Sequence, residues 1–220
     1  MKEEYNEKEN TPQTPKRRTT LETISCILSY VFPPFIVPSV VLLWLFLCTY
    51  LNIMPLQYKL FAISVVVSFT ILMPLIFIYI YQKINHWKFS ELGNRKKRHI
   101  PYILSIMGYG TCLLTMYNLH FPRYMSGIVI ASLICMILCA IINLKWKIST
   151  HTAASGLMIG SLLSYSLIFL FNPVWWLCVL ILQSGLIGTA RIIVKQHTLC
   201  EITAGFIIGI FCGIIGILFI

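Results

Sequence analysis

Charge is scarce in this chain: 11% of its 220 residues are Asp, Glu, Lys or Arg. A soluble domain carries about 25%, so the scarcity excludes a water-soluble enzyme with an ordinary surface. Acidic residues are scarcest, 7 against 17 basic ones, and four of the seven, Glu3, Glu4, Glu7 and Glu9, lie in the first nine residues; the His- and Arg-bearing stretches described below hold no carboxylate cluster of the kind that binds Mg²⁺. The eight cysteines form no C-x-x-C pair. Cys135 and Cys139, four apart on one helix face, have no further ligand near them in sequence. They read as small buried hydrophobes, and no metal or cofactor is implied. There is no internal repeat, no low-complexity segment and no sign of a second domain.

Apolar sequence is what the chain has instead. Hydrophobic residues make up 58% of it, and the mean hydropathy is +0.82. This is the composition of an integral membrane protein. The net charge of +10 is concentrated outside the apolar runs. A nucleic-acid reader can be equally basic but does not have this much apolar sequence. The expected partners are the bilayer, its anionic head groups, or an anionic substrate held in a basic pocket; no nucleic acid is expected.

Residues 1–22 read as a polar, solvated tail and residues 23–220 as one transmembrane domain. The tail does not read as a signal peptide, because the apolar stretch after it is too long and no small-residue cleavage site follows closely. A bilayer-crossing helix needs about 20 mostly apolar residues, and seven stretches qualify. They are Ile24 to Leu51, Leu60 to Tyr81, Pro101 to Tyr117, Tyr124 to Ile142, Thr150 to Leu170, Val174 to Arg191, and Glu201 to Ile220. Pro33, Pro34 and Pro38 should kink the first or shorten it to a start near Pro34, and Pro74 is a candidate kink in the second. Ser149 or Thr150 should cap the fifth. Trp87, Trp146, Trp175 and Trp176 suit an interfacial aromatic belt. The expected fold is all-α, a multi-pass bundle of six or seven helices.

Three polar clusters sit at the ends of these runs: the stretch from Lys88 to Arg98, then Ser149-Thr150-His151, then Arg191 with His197 and Glu201. Two spans separate each cluster from the next, so all three fall on one side of the membrane. Their chemistry suits phosphate ester cleavage. Histidine can act as nucleophile or acid near neutrality. A carboxylate beside it fixes its tautomer. His197 and Glu201, four apart, share a face if the helix is continuous through both. Arg191 supplies a forked donor for phosphate, and the N-terminus of the fifth helix attracts anions. His86 and His120 read as ordinary interface residues.

These clusters resemble the type 2 phosphatidic acid phosphatase family (PAP2), whose pattern is K-x6-R-P, then P-S-G-H, then S-R-x5-H-x3-D. The resemblance covers about Lys88 to Gly209. In the third motif Arg191 and His197 match in type and spacing, Glu201 stands for Asp, and Ala190 stands for Ser. In the second, Ser149 and His151 match, while Ile148 and Thr150 replace Pro and Gly. In the first, Lys88 and Arg95 keep the six-residue gap, but the proline, Pro101, follows three residues after Arg98, so either Arg95 or Arg98 answers to the family arginine. The resemblance implies that His197 is the nucleophile forming a phosphohistidine, that Glu201 orients it, and that His151 protonates the leaving group. It implies further that Arg191, Arg98 or Arg95, and Lys88 bind the phosphate together with Ser149 and Thr150, without metal. Thr150 and Thr189 offer hydroxyls that could stand in for the missing serine.

The expected activity is therefore metal-independent hydrolysis of a lipid phosphomonoester or diphosphate. A degenerate, non-catalytic lipid-binding or transport protein is the alternative. The expected location is a membrane, a bacterial inner membrane in this reading. Family members commonly place the site on the extracytoplasmic face. Here the excess of lysine and arginine lies on the motif side, which by the positive-inside rule is cytoplasmic.

Overall fold

The computed structural model describes residues 33–84 and 99–219, with Thr23 and Ser25. The polar tail of residues 1–22 lies outside the described residues. Among those described there are seven α-helices and no strands. A single 3-10 turn, Pro34–Ile36, leads into helix α1, Val37–Cys48. Together they make 15 apolar residues, Pro34–Cys48, or about 22 Å at 1.5 Å per residue, less than the ~30 Å hydrocarbon core. The helix thus begins at Pro34, where the prolines supply a fixed φ suited to a first turn.

Six longer helices follow, each long and apolar enough to span a bilayer. They are α2 (Leu56–Ile84), α3 (His99–Asn118), α4 (Arg123–Lys145), α5 (Thr150–Phe169), α6 (Val174–Ile193) and α7 (Leu199–Leu218). Pro74 does not break α2. A π-helical turn, Ser68–Leu72, precedes it and absorbs the missing N–H within a continuous helix. The turn and the proline ring meet α3 at Gly108, where an added Cβ would lie 2.7 Å from the Phe69 carbonyl oxygen and 2.9 Å from Pro74 Cγ.

Aromatic contacts fix which helix ends share a face of the bundle. Trp44 near the end of α1 meets Phe171 in the α5–α6 connection at 5.1 Å between ring centroids and Trp176 at 5.9 Å. Tyr58 at the start of α2 meets Phe121 before α4. Tyr124 and Tyr50 both meet Phe169. These rings gather at one end, so His99, Lys145, Thr150, Ile193 and Leu199 gather at the other. The alternation expected from the sequence is therefore present from α2 to α7. Trp175, Trp176 and Trp146 are exposed, as an interfacial belt requires; Trp87 lies outside the described residues.

The tightest association in the bundle is between α5 and α7. An added Cβ on Gly209 would lie 2.0 Å from the Ala153 carbonyl oxygen, and one on Gly156 would lie 2.1 Å from that of Phe206. Glycine permits this backbone contact, the usual device of helix pairs in lipid, where apolar side chains gain nothing by leaving the solvent. The consequence for function is positional. The N-termini of α5 and α7 lie side by side, joined by a hydrogen bond from the Ser149 N–H to the Glu201 carbonyl oxygen, 3.4 Å.

Candidate functional site

The connection between α6 and α7 accounts for the spacing of the third motif. Helix α6 ends in a Schellman motif: Lys195 takes a left-handed φ of 53°, its N–H donates to the Ile192 carbonyl at 2.8 Å, and the Gln196 N–H donates to the Arg191 carbonyl at 3.2 Å. In this motif the sixth residue bonds back to the first and the fifth to the second, closing the helix. Helix α7 begins at once with a capping box on Thr198, whose side chain accepts from the Glu201 N–H while the Glu201 carboxylate accepts from the Thr198 N–H. Arg191 is thus the first residue of the terminating motif, His197 the residue just before the next cap, and Glu201 the third residue of the new helix. The gaps of five and three are the lengths of those two local motifs.

His197 therefore does not lie on α7, as a shared helix face would require; the helix starts at Leu199. The pair forms by another route. Glu201 Oε2 accepts from Thr198 N at 3.3 Å and lies 2.7 Å from His197 Nδ1. One carboxylate oxygen thus closes the cap and takes the imidazole N–H. The His197 side chain is 2% exposed and that of Glu201 is 13% exposed, so the pair is well shielded from water. With Nδ1 donating to the carboxylate, Nε2 is the nitrogen that carries the lone pair.

Arg191 and His151 meet across the α5–α6 boundary. Arg191 Nη2 lies 2.5 Å from His151 Nδ1 and 2.7 Å from Nε2, and Nη1 donates to Gln196 Oε1 at 2.6 Å. Lys147 Nζ donates to the Gln196 carbonyl oxygen. Arg191 is 8% exposed. Guanidinium charge this deep, at the end of a membrane helix, is costly unless a partner or a ligand offsets it.

The structure thus brings together His151, Arg191, His197 and Glu201 from three helix ends. Ser149 occupies the N-cap position of α5 with no side-chain cap; it is fully buried, and its hydroxyl has no protein partner among the described residues. Thr150 is half-buried and borders a small cleft shared with Pro34, Tyr109, Ser132 and Ala153. Thr189 does not replace the serine expected at Ala190. Its hydroxyl donates to the Gly185 carbonyl at 2.8 Å on an exposed face of α6. Lys88, Arg95 and Arg98 lie outside the described residues.

Three participants escaped the sequence reading: Gln196, Lys147 and Thr198. Thr198 was legible in principle, since Thr-x-x-Glu before an apolar run is a capping box signature. Gln196 and Lys147 act through a turn whose geometry leaves no comparable mark.

Compared with protein-family models, with curated proteins and with solved structures, the chain gives no match in any of the three. What the fold defines is the class: a multi-pass, all-α membrane protein with a cluster of polar side chains at one end of its helical bundle.

Proposed function

We propose that this chain is an integral-membrane lipid phosphate phosphatase that works through a phosphohistidine. The observation that supports it best is the convergence of a buried His197–Glu201 pair, 2.7 Å apart, with Arg191 and His151 at one membrane end. In this reading Arg191 binds the phosphate oxygens and His197 Nε2 attacks phosphorus. The P–N bond forms as the bond to the lipid oxygen breaks, and His151 donates a proton to the departing alkoxide. Water then cleaves the P–N bond, with His151 taking its proton, and inorganic phosphate leaves. Glu201 holds the His197 tautomer and supports its positive charge. The substrate is a phosphomonoester or diphosphate of a lipid, since the site lies at the end of membrane helices.

The location proposed is a bacterial inner membrane, with the site on the cytoplasmic face. Lys83, Lys145, Lys147 and Lys195 lie at the site end of the bundle and only Lys59 and Arg123 at the other, among the described residues. The test of activity is phosphate release from a panel of lipid phosphates in detergent with excess EDTA. Activity that vanishes with chelator and returns with Mg²⁺ refutes the mechanism. A second reading, lipid phosphate binding without turnover, is favoured by one observation: Thr189 turns its hydroxyl away from the position that Ala190 leaves without one. Phosphate bound but never released from a lipid would establish that reading instead.

A further inference from the structure

Gln196 lies at the centre of the polar cluster. In a Schellman motif the sixth residue usually touches the first through an apolar contact. Here the sixth is Gln196 and the first is Arg191, and the contact is a hydrogen bond, Nη1 to Oε1 at 2.6 Å. The Gln196 main chain is itself held from two sides: its N–H donates to the Arg191 carbonyl, and its carbonyl accepts from Lys147 Nζ. A side chain carried on a main chain held in this way has a fixed origin, and a guanidinium is planar, so a short bond to Nη1 restricts the plane in which the whole fork lies. That plane also brings Nη2 against His151.

We propose that Gln196 is the positioning residue for Arg191. It holds the guanidinium in the orientation that receives a phosphate group beside His151. The proposal rests on the phosphatase reading above and adds to it a residue that touches neither phosphorus nor the leaving group. A carboxylate at the same place would be a poor substitute. It would pair with Arg191 as an ion and compete with the phosphate for it. The neutral amide orients the cation without neutralising it.

The experiment compares the full-length parent with Gln196→Met and Gln196→Glu in detergent. Methionine has a similar length and supplies the apolar contact that the motif ordinarily carries, so the helix end should survive. The readouts are KM, kcat, the inhibition constant of inorganic phosphate, phosphate affinity by calorimetry, and the thermal midpoint. For Gln196→Met the expected result is roughly a 10-fold rise in KM and in the phosphate constant, the scale of one hydrogen bond to a charged group. The thermal midpoint should stay at the parent value and kcat should change less than KM. Gln196→Glu should weaken phosphate further, and lowering the pH should recover part of the loss as the introduced carboxylate is protonated. Parent-like phosphate constants in both variants overturn the proposal. So does a loss in Gln196→Met that tracks a fall in thermal midpoint, because a helix-ending role alone would produce that. A parent that binds phosphate but hydrolyses nothing refutes the phosphatase reading while leaving Gln196 to be judged by affinity. A parent that neither binds nor hydrolyses refutes both.

Discussion

Glu201→Gln separates the two tasks of Glu201. The carboxylate oxygen that meets His197 at 2.7 Å also closes the capping box at Thr198. Glutamine is as good as glutamate in the capping box, and its amide oxygen can accept from both N–H groups. Folding should therefore change little, whereas removing the cap itself with Thr198→Ala should cost about 0.5–2 kcal/mol. Catalysis responds differently. In the proposed mechanism the imidazole becomes positively charged as it takes the phosphoryl group, and it then lacks the facing negative charge. Neutralising the carboxylate of a buried serine-protease triad lowers kcat by about 10⁴. At Glu201 the loss expected is about 10- to 1000-fold, or about 1.4 to 4 kcal/mol. It is smaller because the glutamate side chain is long and retains 13% of its surface in solvent, which screens the charge. Glu201→Asp keeps the charge on a shorter stem and should retain substantial activity. The assay is phosphate release at saturating lipid phosphate, with thermal unfolding in detergent beside it. If Glu201→Gln turns over like the parent at an unchanged midpoint, the orienting role is wrong and His197 needs another partner.

Much of the fold was legible because a bilayer imposes a length. Six of the seven apolar runs became helices long enough to cross, with ends shifted by a few residues, as for Leu60 to Tyr81 within Leu56–Ile84. The remaining run is described from Pro33 onward, where the helix Pro34–Cys48 is too short to cross and starts at the prolines, as the sequence did suggest. Less visible was why α5 and α7 adjoin. Gly156 and Gly160 on one helix, and Gly205, Gly209 and Gly213 on the other, recur at intervals of four and mark a close-packed seam. Composition and hydropathy do not register that seam, because glycine counts as neither strongly apolar nor polar.

The candidate site was legible where its residues are marked by spacing, and less so where their placement depends on backbone turns. Arg191, His197 and Glu201 were picked out by their intervals, and His151 by parity. Their convergence needs two motifs that the intervals only imply: the left-handed Lys195 that turns the chain and the Thr198 cap that starts the next helix. A left-handed lysine is unusual, since glycine is the common choice. For that reason the turn carries no glycine signal in the sequence, and Gln196 went unnoticed beside it.

The remaining expectations concern roles, orientation and the seam. His197→Ala should abolish turnover and the acid-labile phosphoenzyme detected with labelled substrate. His151→Ala should slow alkyl phosphates more than aryl phosphates, whose leaving groups need no proton; equal losses on both would count against the acid role. Single cysteines placed at Lys195 and at Lys59 in a cysteine-free background should react with an impermeant maleimide from opposite faces, Lys195→Cys from the cytoplasm. The reverse pattern refutes the orientation drawn from the positive-inside rule. Gly209→Ala tests whether the seam builds the site. Its Cβ would stand 2.0 Å from the Ala153 carbonyl oxygen and 2.7 Å from the Leu157 nitrogen, both backbone atoms that cannot swing aside, so α5 and α7 must separate. Overpacking of this kind costs typically about 1–3 kcal/mol. The separation should also stretch the Ser149 to Glu201 bond, already 3.4 Å, and so carry His151 away from the His197–Glu201 pair. Gly110, in the interior of α3, where an added Cβ meets nothing within 4 Å, is the control: Gly110→Ala should leave activity alone and hold the midpoint or raise it slightly, since alanine favours a helix over glycine. A Gly209→Ala protein with the parent's midpoint and turnover would mean that the helices tolerate separation, and that the seam does not hold the site together.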